Sequence, residues 1–261
     1  MKHLLLVIAG CATAAFPIAD AAAQGLGTVR VRAGLGAQVR PEWRGADESE
    51  VTLYPSLSVA TGDKPFGISA PDDSFDLSLI KKDGFSAGPV FDLRRGRKNS
   101  DVGAPVGKVP RTFEAGVFVQ QFVSDSVRLR GEVRQGIGGH EGLMSSLGAD
   151  YIWHDGERYA VSLGPRLLVS NGRFQREFFG VTPEAALASG LPVYRPDGGI
   201  HAVAATSGLD YALGGGWGLF GYARYERLVG DARKSPIVRE FGSPDQFSVG
   251  LGLNHTFTLR L

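Results

Sequence analysis

The sequence predicts an all-β fold: a transmembrane antiparallel up-and-down β-barrel of about twelve strands, ten being the alternative count, preceded by a cleaved signal peptide. Three observations carry this. The N-terminus is laid out as a secretory signal, the rest of the chain alternates apolar and polar side chains with a period of two, and the connections are short and long by turns.

Composition excludes more than it assigns. The 261 residues hold 28 Lys+Arg against 27 Asp+Glu, a balance that gives no reason to expect nucleic acid as a partner. The 37 glycines lack a three-residue period and 43% of residues are hydrophobic, so neither collagen nor gross disorder fits.

Met1-Lys2-His3 precedes an apolar stretch from Leu4 to Phe16 and then Ala21-Ala22-Ala23, the order of charged, apolar and small-residue regions in a secretory signal. Cleavage after Ala23 makes residues 1–23 the signal peptide and 24–261 the outer-membrane barrel domain. The apolar stretch falls short of the ~20 residues a spanning helix needs. Cys11 follows Ile8-Ala9-Gly10 as in a lipoprotein processing box, but only about five apolar residues precede that box, where a signal core has roughly 7–15. With cleavage at Ala23 the mature chain has no cysteine, which removes disulfides, thiolate catalysis and Cys-ligated zinc.

In a pleated strand successive side chains point to opposite faces. Phe247, Val249, Leu251, Leu253, Phe257, Leu259 and Leu261 share one face with only His255 interrupting, against Ser248, Gly250, Gly252, Asn254, Thr256, Thr258 and Arg260. Val127, Leu129, Val133 and Ile137 likewise oppose Arg128, Arg130, Glu132 and Arg134. Segments starting at Val29 and at Tyr159 alternate in the same way, again with arginines on the polar face. The spacing predicts strands at 28–40, 50–60, 64–70, 74–81, 85–96, 112–123, 126–137, 142–154, 158–170, 200–213, 217–228 and 245–259. Reading 66–80 as one bent strand gives eleven. A turn at Pro71-Asp72-Asp73-Ser74 gives twelve, the even number expected of a single-chain barrel with both termini in the periplasm.

With twelve strands the short connections at Lys81 to Gly84, Ser124-Asp125, His154 to Glu157 and Leu213 to Gly216 fall on the periplasmic end, and 97–111, 171–199 and 229–244 fall outside. That asymmetry is characteristic of transmembrane barrels and was not imposed by the strand parity. Phe85, Trp153, Tyr159, Tyr211, Trp217 and Phe257 would lie at one rim, where an aromatic ring is apolar on one side and wet on the other. Aromatics also favour strands anywhere. A soluble barrel would alternate too, but twelve strands of about ten residues behind a signal peptide match the ~9–11 needed to span a bilayer.

Several loops resemble the MltA-interacting protein (MipA/OmpV) family of outer-membrane proteins. The matching stretches are Pro41-Glu42-Trp43-Arg44-Gly45-Ala46-Asp47, Lys82 to Pro89 with Arg95-Gly96-Arg97, Phe179 to Glu184 leading to Ser189-Gly190-Leu191-Pro192, and Tyr225 to Leu228 followed by Gly230-Asp231, Ser235 to Val238 and Asp245-Gln246-Phe247. The resemblance implies an outer-membrane barrel of a Gram-negative cell envelope. It implies a scaffold joining a lytic transglycosylase that degrades peptidoglycan to a murein synthase, with a narrow pore for solutes or antibiotics and a surface adhesin as the alternatives. Such barrels usually end on an aromatic residue. Here Gly252 to Phe257 fits that ending, and Thr258-Leu259-Arg260-Leu261 runs past it.

Thr182 before Pro183, with Gly190 closing the segment, predicts a short capped helix inside the longest loop. Arg94-Arg95-Gly96-Arg97-Lys98 is either a lipopolysaccharide phosphate site or a solvated strand end. Arg128, Arg130, Glu132, Arg134, Arg224 and Glu226 are inward by phase, and either line a narrow pore or pair with one another to fill the lumen. No enzyme is predicted, and no cofactor or metal. His140, His154, His201 and His255 are scattered without ligand spacing, and the nearest pairs, His154 with Asp155 and His201 with Ser207, lack a third member.

Overall fold

The structure, a computed structural model, describes residues 27–260, so the expected signal peptide 1–23 and Cys11 lie outside the described residues. Twelve antiparallel strands form one curled sheet. They are β1 (Val29–Pro41), β2 (Ser49–Thr61), β3 (Phe75–Asp76), β4 (Ile80–Lys82), β5 (Phe85–Arg94), β6 (Thr112–Ser124), β7 (Val127–Ile137), β8 (Leu143–Asp155), β9 (Tyr159–Ser170), β10 (Gly199–Gly214), β11 (Trp217–Leu228) and β12 (Asp245–Leu259). Neighbours in sequence pair from β5 to β12, and β12 returns to β1 through a ladder from Val29 opposite Leu259 to Val39 opposite Val249.

The count of twelve is reached differently from the sequence expectation. Residues 64–70 form no strand, and 74–81 is broken into β3 and β4, both laid on β5. Pro65 and Pro71 bracket the segment and cannot donate to a ladder, which weakens it as a strand, and partners in the interior hold it off the wall. Residues 62–74 climb through the interior, where Phe66 meets Arg30 and Arg32 of β1 and Asp72 meets Arg166 of β9 and Arg224 of β11. The wall therefore has a seam. Among the described residues β2 is laddered to β1 alone, and the seam is bridged at its long-loop end by the Arg95–Glu50 ion pair.

The alternation places side chains as a membrane barrel requires. On β7, Leu129, Val133 and Ile137 are exposed while Arg128, Arg130, Glu132 and Arg134 are buried. The apolar wall faces outward, and among the described residues no helix is long and apolar enough to cross a membrane. Packing of the water-soluble kind is confined to the long-loop end. There α1 (Asn99–Val102), α2 (Gly172–Phe179), α3 (Pro183–Ser189), α4 (Gly230–Lys234) and α5 (Pro236–Phe241) gather with the 41–48 loop. Their cluster includes Trp43, Phe174, Phe178, Phe179, Ile237 and Val238. The last carbonyls of α2 are satisfied by tertiary donors: Arg97 Nη1 reaches the Phe178 oxygen at 2.6 Å and Ser235 Oγ the Phe179 oxygen at 2.7 Å.

Helix α3 is the one the sequence predicts. Thr182 Oγ1 accepts from the Ala185 N–H at 3.2 Å, Pro183 opens the first turn and Gly190 closes it at φ 76°, a left-handed angle that favours glycine. Thr182→Ala is expected to cost about 1 kcal/mol, as for other N-cap losses, read as faster amide exchange across 183–189. Unchanged exchange there would mean that packing on Ala185, not the cap, holds the helix.

Candidate functional site: a charged lumen with an inserted segment

Among the side chains that the strands turn inward is a cluster of charged residues in the middle of the lumen, and these pair reciprocally. Arg128 is 1% exposed and binds Asp150 of β8 through Nε at 3.0 Å and Nη2 at 2.6 Å. Arg166 takes the other oxygen of Asp150 at 2.7 Å. Arg130 holds Glu132 through Nε at 2.8 Å and lies 4.2 Å over the Phe118 ring. Glu226 joins Arg224 at 2.7 Å and Arg44, from the 41–48 loop, at 2.8 Å. Burial of this many charges is tolerable only when each is paired and hydrogen-bonded.

The inserted segment completes the network. Arg166 grips Asp72 with a two-pronged contact, Nε and Nη2 each at 3.0 Å, while Arg224 and Thr206 bind the same carboxylate. Asp73 meets Arg128 at 2.5 Å and 3.2 Å and lies 3.6 Å from Arg130. Ser74 Oγ donates to Glu132 at 2.9 Å. Such planar forks are stronger than neutral hydrogen bonds and fix orientation as well. The foot of the segment is tied to the short-turn rim: the Phe66 N–H donates to Glu157 Oε1 at 3.1 Å, and Arg30 binds both Glu157 oxygens at 2.9 Å and 3.1 Å. The Arg30 hydrogen bond holds the Glu157 carboxyl below the usual range.

At the other end Glu114 links lumen to cap. Its fully buried carboxylate is held by Arg94, by Arg134 at 3.0 Å and by His140 at 2.8 Å, and the His140 ring sits edge-on to Phe174 of α2 at 4.9 Å. His201 pairs with Ser170 at 2.9 Å, not with Ser207, and both are buried under the cap. Arg97 is buried over Trp43, and burial pushes its guanidinium down to about 10.

The six inward candidates therefore sit together in the interior: Arg128, Arg130, Glu132 and Arg134 on β7, Arg224 and Glu226 on β11. Sequence reasoning missed Asp72, Asp73, Glu114 and Asp150, the carboxylates that neutralise them. The available signal was the set of arginines on the inward polar faces, since charges turned into an interior need carboxylates beside them. The aromatic set lies at the short-turn end. Phe85, Trp153, Tyr211, Trp217 and Phe257 are exposed and Tyr159 is half-buried, with Tyr211 opposite Tyr159 and Trp217 packed edge-on to His255 at 4.9 Å.

Among the described residues, cavities lie along the interior at three levels. One of about 380 Å³ is lined by Arg30, Arg32, Tyr54, Phe66 and Asp210, and reaches the short-turn end. A middle one of about 310 Å³ holds the arginine cluster with Asp72 and Asp73. A third of about 320 Å³ lies among Arg40, Arg44, Arg95, Arg97 and Glu226 toward the long loops.

A family model described as MltA-interacting protein MipA matches residues 33–257. Among solved structures the chain is similar to the KdgM porin, at 11% identity over 88% of this chain and 99% of that one with a TM-score of 0.37. It is also similar to an outer-membrane channel of Pseudomonas putida F1, at 12% identity over 88% and 95% with a TM-score of 0.41. A third likeness is to the outer-membrane channel DcaP of Acinetobacter baumannii, at 7% identity over 88% and 96% with a TM-score of 0.40. No curated protein matches the chain.

Proposed function

This chain belongs to the MltA-interacting protein MipA family and is an outer-membrane β-barrel, and on that premise we propose that it is a closed barrel anchoring a peptidoglycan-cleaving lytic transglycosylase, together with a murein synthase, at the inner face of the outer membrane. The observation that carries this reading is the filled interior. Charges are paired across the lumen, the segment 62–74 occupies its middle, and an apolar cluster covers much of the long-loop end. Such a barrel holds position rather than passing solute freely. Lipid contacts the apolar wall, with lipopolysaccharide at the outer rim.

The periplasmic rim offers short, polar turns at Lys81 to Gly84, Ser124 to Ser126, Asp155 to Arg158 and Gly214 to Gly216. Lys81 and Lys82 are exposed there and make no ion pair among the described residues. Charge at an interface rim governs encounter and partner choice. In crosslinked envelopes the wild type is expected to retain the transglycosylase, and Lys81→Glu with Lys82→Glu to lower that yield several-fold while leaving a folded barrel. Wild type that recovers no murein enzyme, or that conducts steadily in planar bilayers, would remove the proposal.

A further inference from the structure

From the inserted segment we infer that the barrel is a gated anion channel, and that residues 62–74 are the latch holding it shut. The inference goes beyond anchoring. The middle and outer cavities share five bordering residues, Arg44, Asp92, Arg94, Arg224 and Glu226, and so abut directly. The periplasmic and middle cavities share only Pro71. The partition between them is thus Pro71 with the two aspartates behind it, a piece of loop and not part of the wall.

That partition is built to be separable. It has no ladder of its own, its ionic grip on the lumen runs through Asp72 and Asp73 beside the Ser74 contact to Glu132, its foot is tethered at Phe66, and β3, the strand that follows, contributes two paired residues. Pro71 rests on Gly208 of β10, where a Cβ would come within 2.9 Å of the proline ring, so glycine allows contact without interlocking side chains. The unladdered edge of β2, itself 13 residues long, offers the segment a second place in the wall. An unpaired backbone edge facing lipid is costly, so residues 66–70, which lie between the two prolines and keep their N–H groups, gain ladder bonds there as ion pairs are lost.

The permeant class follows from the charges. The middle cavity is lined by seven arginines against six carboxylates, two of which are Asp72 and Asp73. Withdrawal leaves seven against four, and small mobile anions then take the places of the departed carboxylates on Arg166, Arg224 and Arg128. A pore lined this way selects anions.

The test uses the purified full barrel in planar bilayers under a KCl gradient. Wild type is expected to be silent, which also tests the closed-anchor reading separately. Asp72→Asn with Asp73→Asn is expected to give steady current steps, with a reversal potential displaced toward that of chloride. A folded double variant that stays silent, or that prefers potassium, overturns the inference. Since neutralisation can impair folding, Pro71→Cys supplies a second readout that removes no ionic contact, the only other cysteine being Cys11 ahead of the barrel. Attaching a bulky, reducible methanethiosulfonate there is expected to wedge the latch off Gly208 and switch current on, and dithiothreitol to switch it off. A fully modified protein that remains silent overturns the inference as well.

Discussion

Glu114→Ala is expected to lower the stability of the barrel by about 3–5 kcal/mol, the cost of stranding buried charge. The carboxylate is inaccessible and joins three parts of the molecule: Arg94 at the end of β5, Arg134 on β7 and His140 in the loop after β7. Alanine leaves these donors facing a void. Arg94 retains Asp92 at 3.4 Å and Arg134 retains Glu132, so the guanidiniums are under-paired rather than bare, which keeps the loss within that range. Urea unfolding of the protein in lipid vesicles, followed by tryptophan fluorescence, gives the difference. Glu114→Gln keeps an acceptor without the charge and should fall between. Pairing Glu114→Ala with Arg134→Met should cost less than the two changes summed, because each removes what the other strands. A loss below about 1 kcal/mol for alanine would show that the cluster reorganises freely and does not tie lumen to cap.

Leu251→Arg is expected to cost about 2–4 kcal/mol, the penalty for a cation on the lipid face near the bilayer midplane. Leu251 is 56% exposed at the centre of β12, opposite Ala37 on β1 and Gly221 on β11. Phe257 shares its face six residues nearer the rim and is exposed to a similar degree. There the same change should cost only about 0–1 kcal/mol, since the penalty fades toward the interface. Solvent water would treat both positions alike. Equal losses at the two sites, measured by the same unfolding assay, would mean that hydrocarbon is not what surrounds this wall.

Most of the wall was legible because period two needs no long-range information. Arg128 and Leu129 differ in direction for the same local reason that places them on opposite faces of a pleat, and helix α3 was legible from Thr182, Pro183 and Gly190. The interior path of residues 62–74 was not. Phe66, Ile68 and Ala70 alternate with Gly67 and Ser69 as in a strand, and only Pro65 and Pro71 argue otherwise. What decides the matter is tertiary: Arg166, Arg224 and Arg128 come from strands far away in sequence, and together they attract Asp72 and Asp73. The same limit hid Glu114, whose partners Arg94 and His140 lie 20 and 26 residues away on different elements. Helices α2, α4 and α5 escaped because their apolar faces bury against each other under the cap, a packing no single short window displays.

The lacing of the strands makes the two chain ends, joined through β1 and β12, the continuous part of the cylinder, and puts its true beginning and end at β3 and β2. In bonding order the molecule is a rearranged chain. A permuted gene starting near Phe75, finishing near Thr61 and carrying a linker between the old termini would keep every rung of the sheet and place its chain break at the existing seam, whereas a cut in a tight turn elsewhere would add a second break in the covalent wall. Thermal breathing should likewise begin along that one line.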